Sequence, residues 1–199
     1  MKKLAVLISN AGTGTNLQSI IDGINNGKIN GKIVVVISDK EDAYGLKRAK
    51  KNKLKTEICS QKQDLLKLLK KYKPDFICLG GWKQIILDEV REAFPDRILN
   101  IHPGLTPDKI NGEVINPDGT KGEWNKGKFT TMAVQNFLDS KSTYAGSTVH
   151  LLSHEFDFGK VLGRCFVKIK NGDSVESLYE RLKKKENEIY VKALTKLCN

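Results

Sequence analysis

Proline is scarce in this 199-residue chain, which has 5, and no stretch reads as a Gly/Ser/Pro linker. A Pro-rich disordered segment and a hinge between separate domains are both excluded. Cysteine is scarce as well. Cys59, Cys78, Cys165 and Cys198 form no CxxC pair and no zinc-ligand spacing, which excludes a disulfide scaffold and a zinc module. Cys78 and Cys165 sit inside apolar runs, where a free thiol behaves as a small hydrophobe. A reduced, cytoplasmic setting is expected. Long apolar runs are missing too. Leu4 to Ile8 follows Met1-Lys2-Lys3 and stops at Ser9-Asn10-Ala11-Gly12, too short for the apolar core of a signal peptide. Nothing approaches the roughly 20 apolar residues of a membrane span, so no membrane partner is expected. Acidic residues are the minority charge, 23 against 34 Lys+Arg, a net +11. A lysine-rich, solvated surface accounts for that excess, and so does an anionic ligand. Aromatics make up only 7%, and the lysine clusters 50–55 and 67–73 have only Tyr72 nearby. A base-stacking nucleic-acid surface is therefore not expected.

What is present is a core. Hydrophobic residues reach 39%, ample for one globular domain of this length. Leu4 to Ile8, Ile33 to Ile37, Phe76 to Leu79 and Ile98 to Ile101 read as short buried strands. Near-continuous apolar strands imply a sheet covered on both faces, the parallel arrangement. Between them, Leu17, Ile20, Ile21 and Ile24, then Leu65, Leu66, Leu68 and Leu69, recur at helical spacing. Strand–helix alternation predicts an α/β fold with a doubly wound, mostly parallel sheet, Rossmann-like in architecture.

From Gly104 to Gly127 the chain turns polar and glycine-rich, with the turn signal Asn116-Pro117-Asp118-Gly119. This predicts an added hairpin-like loop after the strand that ends near His102. Phe129 to Leu138 reads as a helix, Ser147 to Leu152 and Val161 to Ile169 as strands. A terminal helix runs from Ser174 to Leu197 with Ser174 as N-cap. The expectation is a single domain over 1–199, in two approximate halves, 1–100 and 101–199, the second ending in the terminal helix.

Three places carry candidate chemistry. The first is the small-residue turn Ser9 to Asn16, which follows the first strand and opens the first helix. It suits close approach of an anion to backbone N–H groups, or simply tight strand–helix packing. With Asp39 after the second strand, Gly12 and Gly14 also allow a dinucleotide-binding module that is not an enzyme. The second is Asn100-Ile101-His102-Pro103 at a strand end. Side chains two apart on a strand share a face, so an amide and an imidazole project together where open α/β sheets bind ligands. Such a pair can stabilise an oxyanion and move a proton, although a histidine there is also a common structural hydrogen-bonder. The third is His154-Glu155-Phe156-Asp157 before Gly159. Asp157 is either a plain turn residue or a carboxylate that orients an imidazole. His150, in an alternating strand, reads as structural.

Combined, these pieces carry a resemblance. Val6-Leu7-Ile8-Ser9, Thr15-Asn16-Leu17-Gln18, Ile37-Ser38-Asp39-Lys40, Ala43-Tyr44-Gly45-Leu46, Pro74-Asp75 and Gly81-Trp82 come first. Leu99-Asn100-Ile101-His102-Pro103, Val149-His150, Glu155-Phe156-Asp157 and Glu186 with Ile189-Tyr190 follow in order. Over nearly its whole length the chain resembles the folate-dependent formyltransferases, most closely the branch that acts on glycinamide ribonucleotide in purine synthesis. The Asn-x-His-Pro strand end with the later Asp-x-Gly is the specific part of that likeness.

The resemblance implies a co-substrate, 10-formyltetrahydrofolate, and no metal. It implies that Asn100 holds the formyl oxygen, His102 stabilises the oxyanion and takes part in proton transfer, and Asp157 orients His102 and positions a water. It assigns the substrate phosphate and ribose to Gly14, Thr15, Asn16, Lys183 and Glu186. Folate is assigned to Lys83, Gln84, Ile85 and Ile86, with Ser153, His154, Glu155 and Phe156. Partners are therefore small anionic molecules. Four departures stand out. The first turn is two residues longer than usual, Gln84 replaces an Arg, Gly104 replaces the Ser of His-Pro-Ser, and Gly104 to Gly127 expands a shorter segment. The basic residue usual before the third helix is matched only by Lys62. An amino-sugar nucleotide is the alternative acceptor. Methionyl-tRNA formylation is not expected, because the chain ends just after the terminal helix.

Overall fold

The computed structural model describes residues 1–9 and 13–199, so Asn10, Ala11 and Gly12 of the first turn lie outside the described residues. Two compact units are present, Met1–Asn100 with Leu194–Asn199, and Ile101–Ala193.

The first unit is built on parallel strands. β1 (Lys2–Ile8), β2 (Gly31–Ser38), β3 (Thr56–Ile58), β4 (Phe76–Leu79) and β5 (Ile98–His102) lie in the order β3-β2-β1-β4-β5, each neighbouring pair parallel. Leu4 to Ile8 of β1 are all buried. An alternating pattern would leave one face wet; this continuous run is what a sheet covered on both faces demands. The chain winds from β1 out to β3 and then returns to the other side of β1 for β4 and β5. That reversal places a topological switch point between β1 and β4, where doubly wound folds bind ligands.

Helices α1 (Thr15–Asn25), α2 (Tyr44–Lys51), α3 (Leu65–Tyr72) and α4 (Asp88–Ala93) connect these strands. α1 buries Leu17, Ile20 and Ile21, the spacing read from the sequence. α2, α4 and β3 were not legible. α2 buries only Gly45, Leu46 and Ala49, too few apolar positions to set a period. β3 is three residues long with none buried.

In the second unit β6 (Tyr144–Leu151) and β7 (Val161–Lys168) are antiparallel, paired from Tyr144–Lys168 to His150–Val161. Val134 and Phe137 of α5 (Thr130–Asp139) pack with Ala145, Cys165, and Leu178 and Leu182 of α6 (Val175–Cys198). Ser174 caps α6 as expected, its Oγ accepting from Ser177 N at 3.3 Å. The Gly104–Gly127 segment is hairpin-like over one bridge, Ile115 to Lys121, closed by Asn116 N donating to Thr120 O at 2.8 Å. Its start is stitched to β6: Thr148 Oγ1 donates to Gly104 O at 2.7 Å and accepts from Thr106 N at 3.0 Å. All four cysteines are buried and free. Among the described residues no helix is long and apolar enough to cross a membrane.

Candidate active site

Within the first unit, the ends of β1 and β4 meet. Lys83 N donates to Ser9 Oγ at 2.9 Å, joining the segment after β4 to the turn after β1. Gly14 caps α1 with φ of 70°. A Cβ there would stand 2.7 Å from Gly45 Cα, so the turn is pressed onto α2 in a way only glycine permits. Arg48 of α2 braces it, Nε donating to Thr13 O at 2.9 Å and Nη1 to Gln18 Oε1 at 3.2 Å. Thr15 and Asn16 then open α1, whose first-turn N–H groups suit an anion. Asn16 Oδ1 is buried with no hydrogen-bond partner among the described residues.

Lys83, Gln84, Ile85 and Ile86 occupy the irregular stretch between β4 and α4. Ile86 is buried, whereas Ile85 is 63% exposed, an apolar side chain held out of the core. Gln84 Nε2 donates to Ser60 O at 3.2 Å. With Asp39, Lys40, Glu41, Asp42, Ile58 and Ser60 it borders an open cleft of about 530 Å³. Asp39 thus faces this cleft. Gly12, which the dinucleotide reading also needs, lies outside the described residues.

In the second unit the imidazole of His102, at the end of β5, is 2% exposed. Its Nδ1 lies 3.6 Å from Asp157 Oδ1 and its Nε2 lies 2.7 Å from Trp124 O. Burial pushes the His102 pKa down, with the Asp157 charge and the Trp124 carbonyl pulling it back up. Asn100 stands two positions earlier on the same strand, hence on the same side of the pleat. Asp157 adopts φ of 51°, a left-handed conformation that Asp tolerates better than most residues. Its Oδ2 accepts from Gly127 N at 2.8 Å and its carbonyl accepts from Trp124 Nε1 at 3.2 Å.

Ser153 folds the following loop by donating to Phe158 O at 2.9 Å and accepting from Glu155 N at 3.2 Å. His154, Glu155 and Phe156 are exposed there, Phe156 by 57%, and Lys126 pairs with Glu155 at 2.5 Å. On α6, Glu186 is buried and accepts from Ser147 Oγ at 2.6 Å. Lys183 lies close enough to act on its charge. His150, read as structural, is buried, its Nδ1 sits 3.1 Å from Leu151 O, and burial lowers its pKa to about 4.

Two contributors escaped the sequence reading, the Trp124 carbonyl and the Gly127 amide. Both act through the backbone, which a side-chain pattern does not reveal. The signal available was the glycine at 104. Among the described residues no group of His, Cys, Asp and Glu could hold a metal ion.

A buried imidazole flanked by a carboxylate, at the end of a strand of a doubly wound sheet, defines a class: an α/β protein equipped for proton and acyl-type group transfer. Residues 2–194 match the formyl transferase family. The chain belongs to that family. It is 35% identical to the phosphoribosylglycinamide formyltransferase of Haemophilus influenzae, over 96% of this chain and 84% of that protein. The enzyme of the same name from Dictyostelium discoideum is 33% identical, over 96% and 95%. A chloroplastic relative from Arabidopsis thaliana is 31% identical over 99% of this chain, which spans 65% of that protein's length. The crystal structure of glycinamide ribonucleotide transformylase 1 from Symbiobacterium toebii superposes with a TM-score of 0.81 at 33% identity. That match covers 98% of this chain and 86% of the other. These likenesses favour a formyltransferase over the dinucleotide-binding module.

Proposed function

We propose that this chain transfers a formyl group from 10-formyltetrahydrofolate to the primary amine of glycinamide ribonucleotide, in the cytoplasm, as one formyltransferase domain. The observation that carries the reading is the pairing of buried His102 with Asp157 at the end of the strand that bears Asn100. The amine attacks the formyl carbon, and negative charge develops on the formyl oxygen. Asn100 supplies an amide donor for that oxygen. His102 supplies an imidazole that burial keeps towards its neutral form, against the pull of the Asp157 carboxylate, so that it can take up a proton as the amine attacks. Fixed donors cost no reorganisation when the charge forms.

The remaining roles are assigned unit by unit. In the first, Gly14, Thr15 and Asn16 receive the substrate phosphate, supported by the helix start and by Asn16 Oδ1, which has no hydrogen-bond partner among the described residues. Lys83, Gln84, Ile85 and Ile86 contact folate, supported by the exposure of Ile85. In the second, Lys183 and Glu186 serve phosphate and ribose, and Ser153, His154, Glu155 and Phe156 serve folate. The partners are these two small anionic molecules, which gives part of the +11 charge a use. No role for a metal enters the chemistry.

The test is a formyl-transfer assay with 10-formyltetrahydrofolate that compares glycinamide ribonucleotide with amino-sugar nucleotides. Turnover confined to glycinamide ribonucleotide is expected. Turnover confined to an amino-sugar nucleotide would overturn the acceptor, and turnover with neither would overturn the function.

A further inference from the structure

The departure at Gly104 and the long segment that follows it meet at one atom. A Cβ on residue 104 would stand 1.8 Å from Trp124 O and 2.7 Å from His102 Nε2. Any residue but glycine would drive the carbonyl away from the imidazole. The carbonyl is itself fixed in place. Asn125, buried and at φ of 58°, donates from Nδ2 to Pro103 O at 3.3 Å and to Ala133 O at 3.2 Å. Its Oδ1 accepts from Asn136 Nδ2 at 2.8 Å. Trp124 Nε1 is tied to Asp157 O.

A carbonyl oxygen can only accept, so its 2.7 Å contact with His102 requires the hydrogen on Nε2. On the other side, Nδ1 is 3.6 Å from Asp157 Oδ1, beyond hydrogen-bond length for a neutral ring. Asp157 Oδ2 is already engaged by Gly127 N, so Oδ1 is the oxygen turned to the ring.

We propose that the Trp124 main-chain carbonyl is a positioning group that holds neutral His102 as the Nε2–H tautomer, leaving Nδ1, on the Asp157 side, to take the proton of the attacking amine. The proposal rests on the formyltransferase reading. The amine lone pair forms the new C–N bond as the carbonyl π pair moves onto oxygen. One amine proton passes to Nδ1, directly or through one water. The resulting imidazolium has both N–H groups facing acceptors, Trp124 O and Asp157 Oδ1. Collapse re-forms C=O, breaks the bond to the folate N10, and the proton moves from Nδ1 to N10. The products are the formamide and tetrahydrofolate, with no net proton gained or lost. Nε2 never exchanges its partner.

The experiment is nitrogen NMR of the full chain labelled at the histidine ring nitrogens, with His102 assigned by the signals lost in His102→Gln. Above the pH at which the ring titrates, a protonated Nε2 and an unprotonated Nδ1 are expected. The opposite tautomer, or an averaged pair, overturns the proposal. In Gly104→Ala the fixed tautomer should give way to an averaged pair, with kcat falling about tenfold or more and KM changing little. If that variant does not fold, Asn125→Gly keeps the left-handed backbone and removes the anchoring amide, and the same outcome is expected. Unchanged kcat with the tautomer lost overturns the positioning role. A wild-type enzyme with the tautomer but no formyl transfer overturns the catalytic step together with the function beneath it, and leaves the tautomer standing.

Discussion

Ser147 on β6 donates its hydroxyl hydrogen to the carboxylate of Glu186 on α6 at 2.6 Å. Glu186 is 5% exposed. Burial raises its pKa, while the Ser147 hydroxyl and Lys183 pull the other way. A buried carboxylate with one hydroxyl partner is a poor choice for stability, and a good acceptor for a ligand hydroxyl.

Glu186→Gln should therefore separate stability from binding. Because the folded pKa lies above the ordinary carboxylate value, at pH between the two the native state keeps a proton that the unfolded chain releases. The group's contribution is most favourable below that ordinary value and declines as pH rises through the folded pKa. Removing the charge should hold or raise Tm at neutral pH. The lost charged hydrogen bond, about 2 kcal/mol, should raise KM for glycinamide ribonucleotide by about tenfold or more. A lowered Tm with unchanged KM would mean the residue is structural only.

His150 makes the opposite prediction for acid. Its folded pKa of about 4 lies below the ordinary 6.5, so the unfolded chain takes up a proton first. Its contribution is present above the unfolded pKa and is lost as pH falls from about 6.5 towards about 4. The ceiling on that loss is about 3 kcal/mol. Urea unfolding at pH values across this window should show the decline, and His150→Gln should flatten it. His102, also lowered, leaves a residual slope of the same sign.

Asn100→Ala and His102→Ala should each lower turnover by about a hundred- to a thousandfold. Asp157→Asn keeps the shape while removing the charge beside Nδ1, and should lower kcat with little change in KM for folate. Steady-state kinetics with both substrates checks all three. Near-wild-type kcat in any of them would remove that residue from the chemistry.

Gly14→Ala forces a side chain into a positive φ and to within 2.7 Å of Gly45 Cα. A cost of about 1–3 kcal/mol in unfolding free energy is expected. KM for the phosphorylated amine should rise more than KM for folate, since the turn opens the proposed phosphate end of α1. Chemical denaturation and paired KM measurements test the two parts separately.

Much of this fold was legible because burial imposes period. The all-buried run Leu4 to Ile8 and the helical spacing of Leu17, Ile20 and Ile21 identified β1 and α1. Where burial is slight, as in β3 and α2, the pattern is absent and so was the reading. The candidate site was legible to the same degree. His102 and Asp157 are 55 positions apart in the chain, yet a known pattern linked them. The Trp124 carbonyl belongs to no pattern, because every residue has one.

The sequence by itself determined the strand–helix alternation, the net positive charge and the residue types proposed to serve formyl transfer, since each depends on side-chain chemistry and spacing along the chain. Only the tertiary structure decided that the Trp124 carbonyl faces Nε2 of His102, why residue 104 is glycine, and that Glu186 is buried against Ser147. Those depend on distances between segments remote in sequence, which packing sets and local pattern does not.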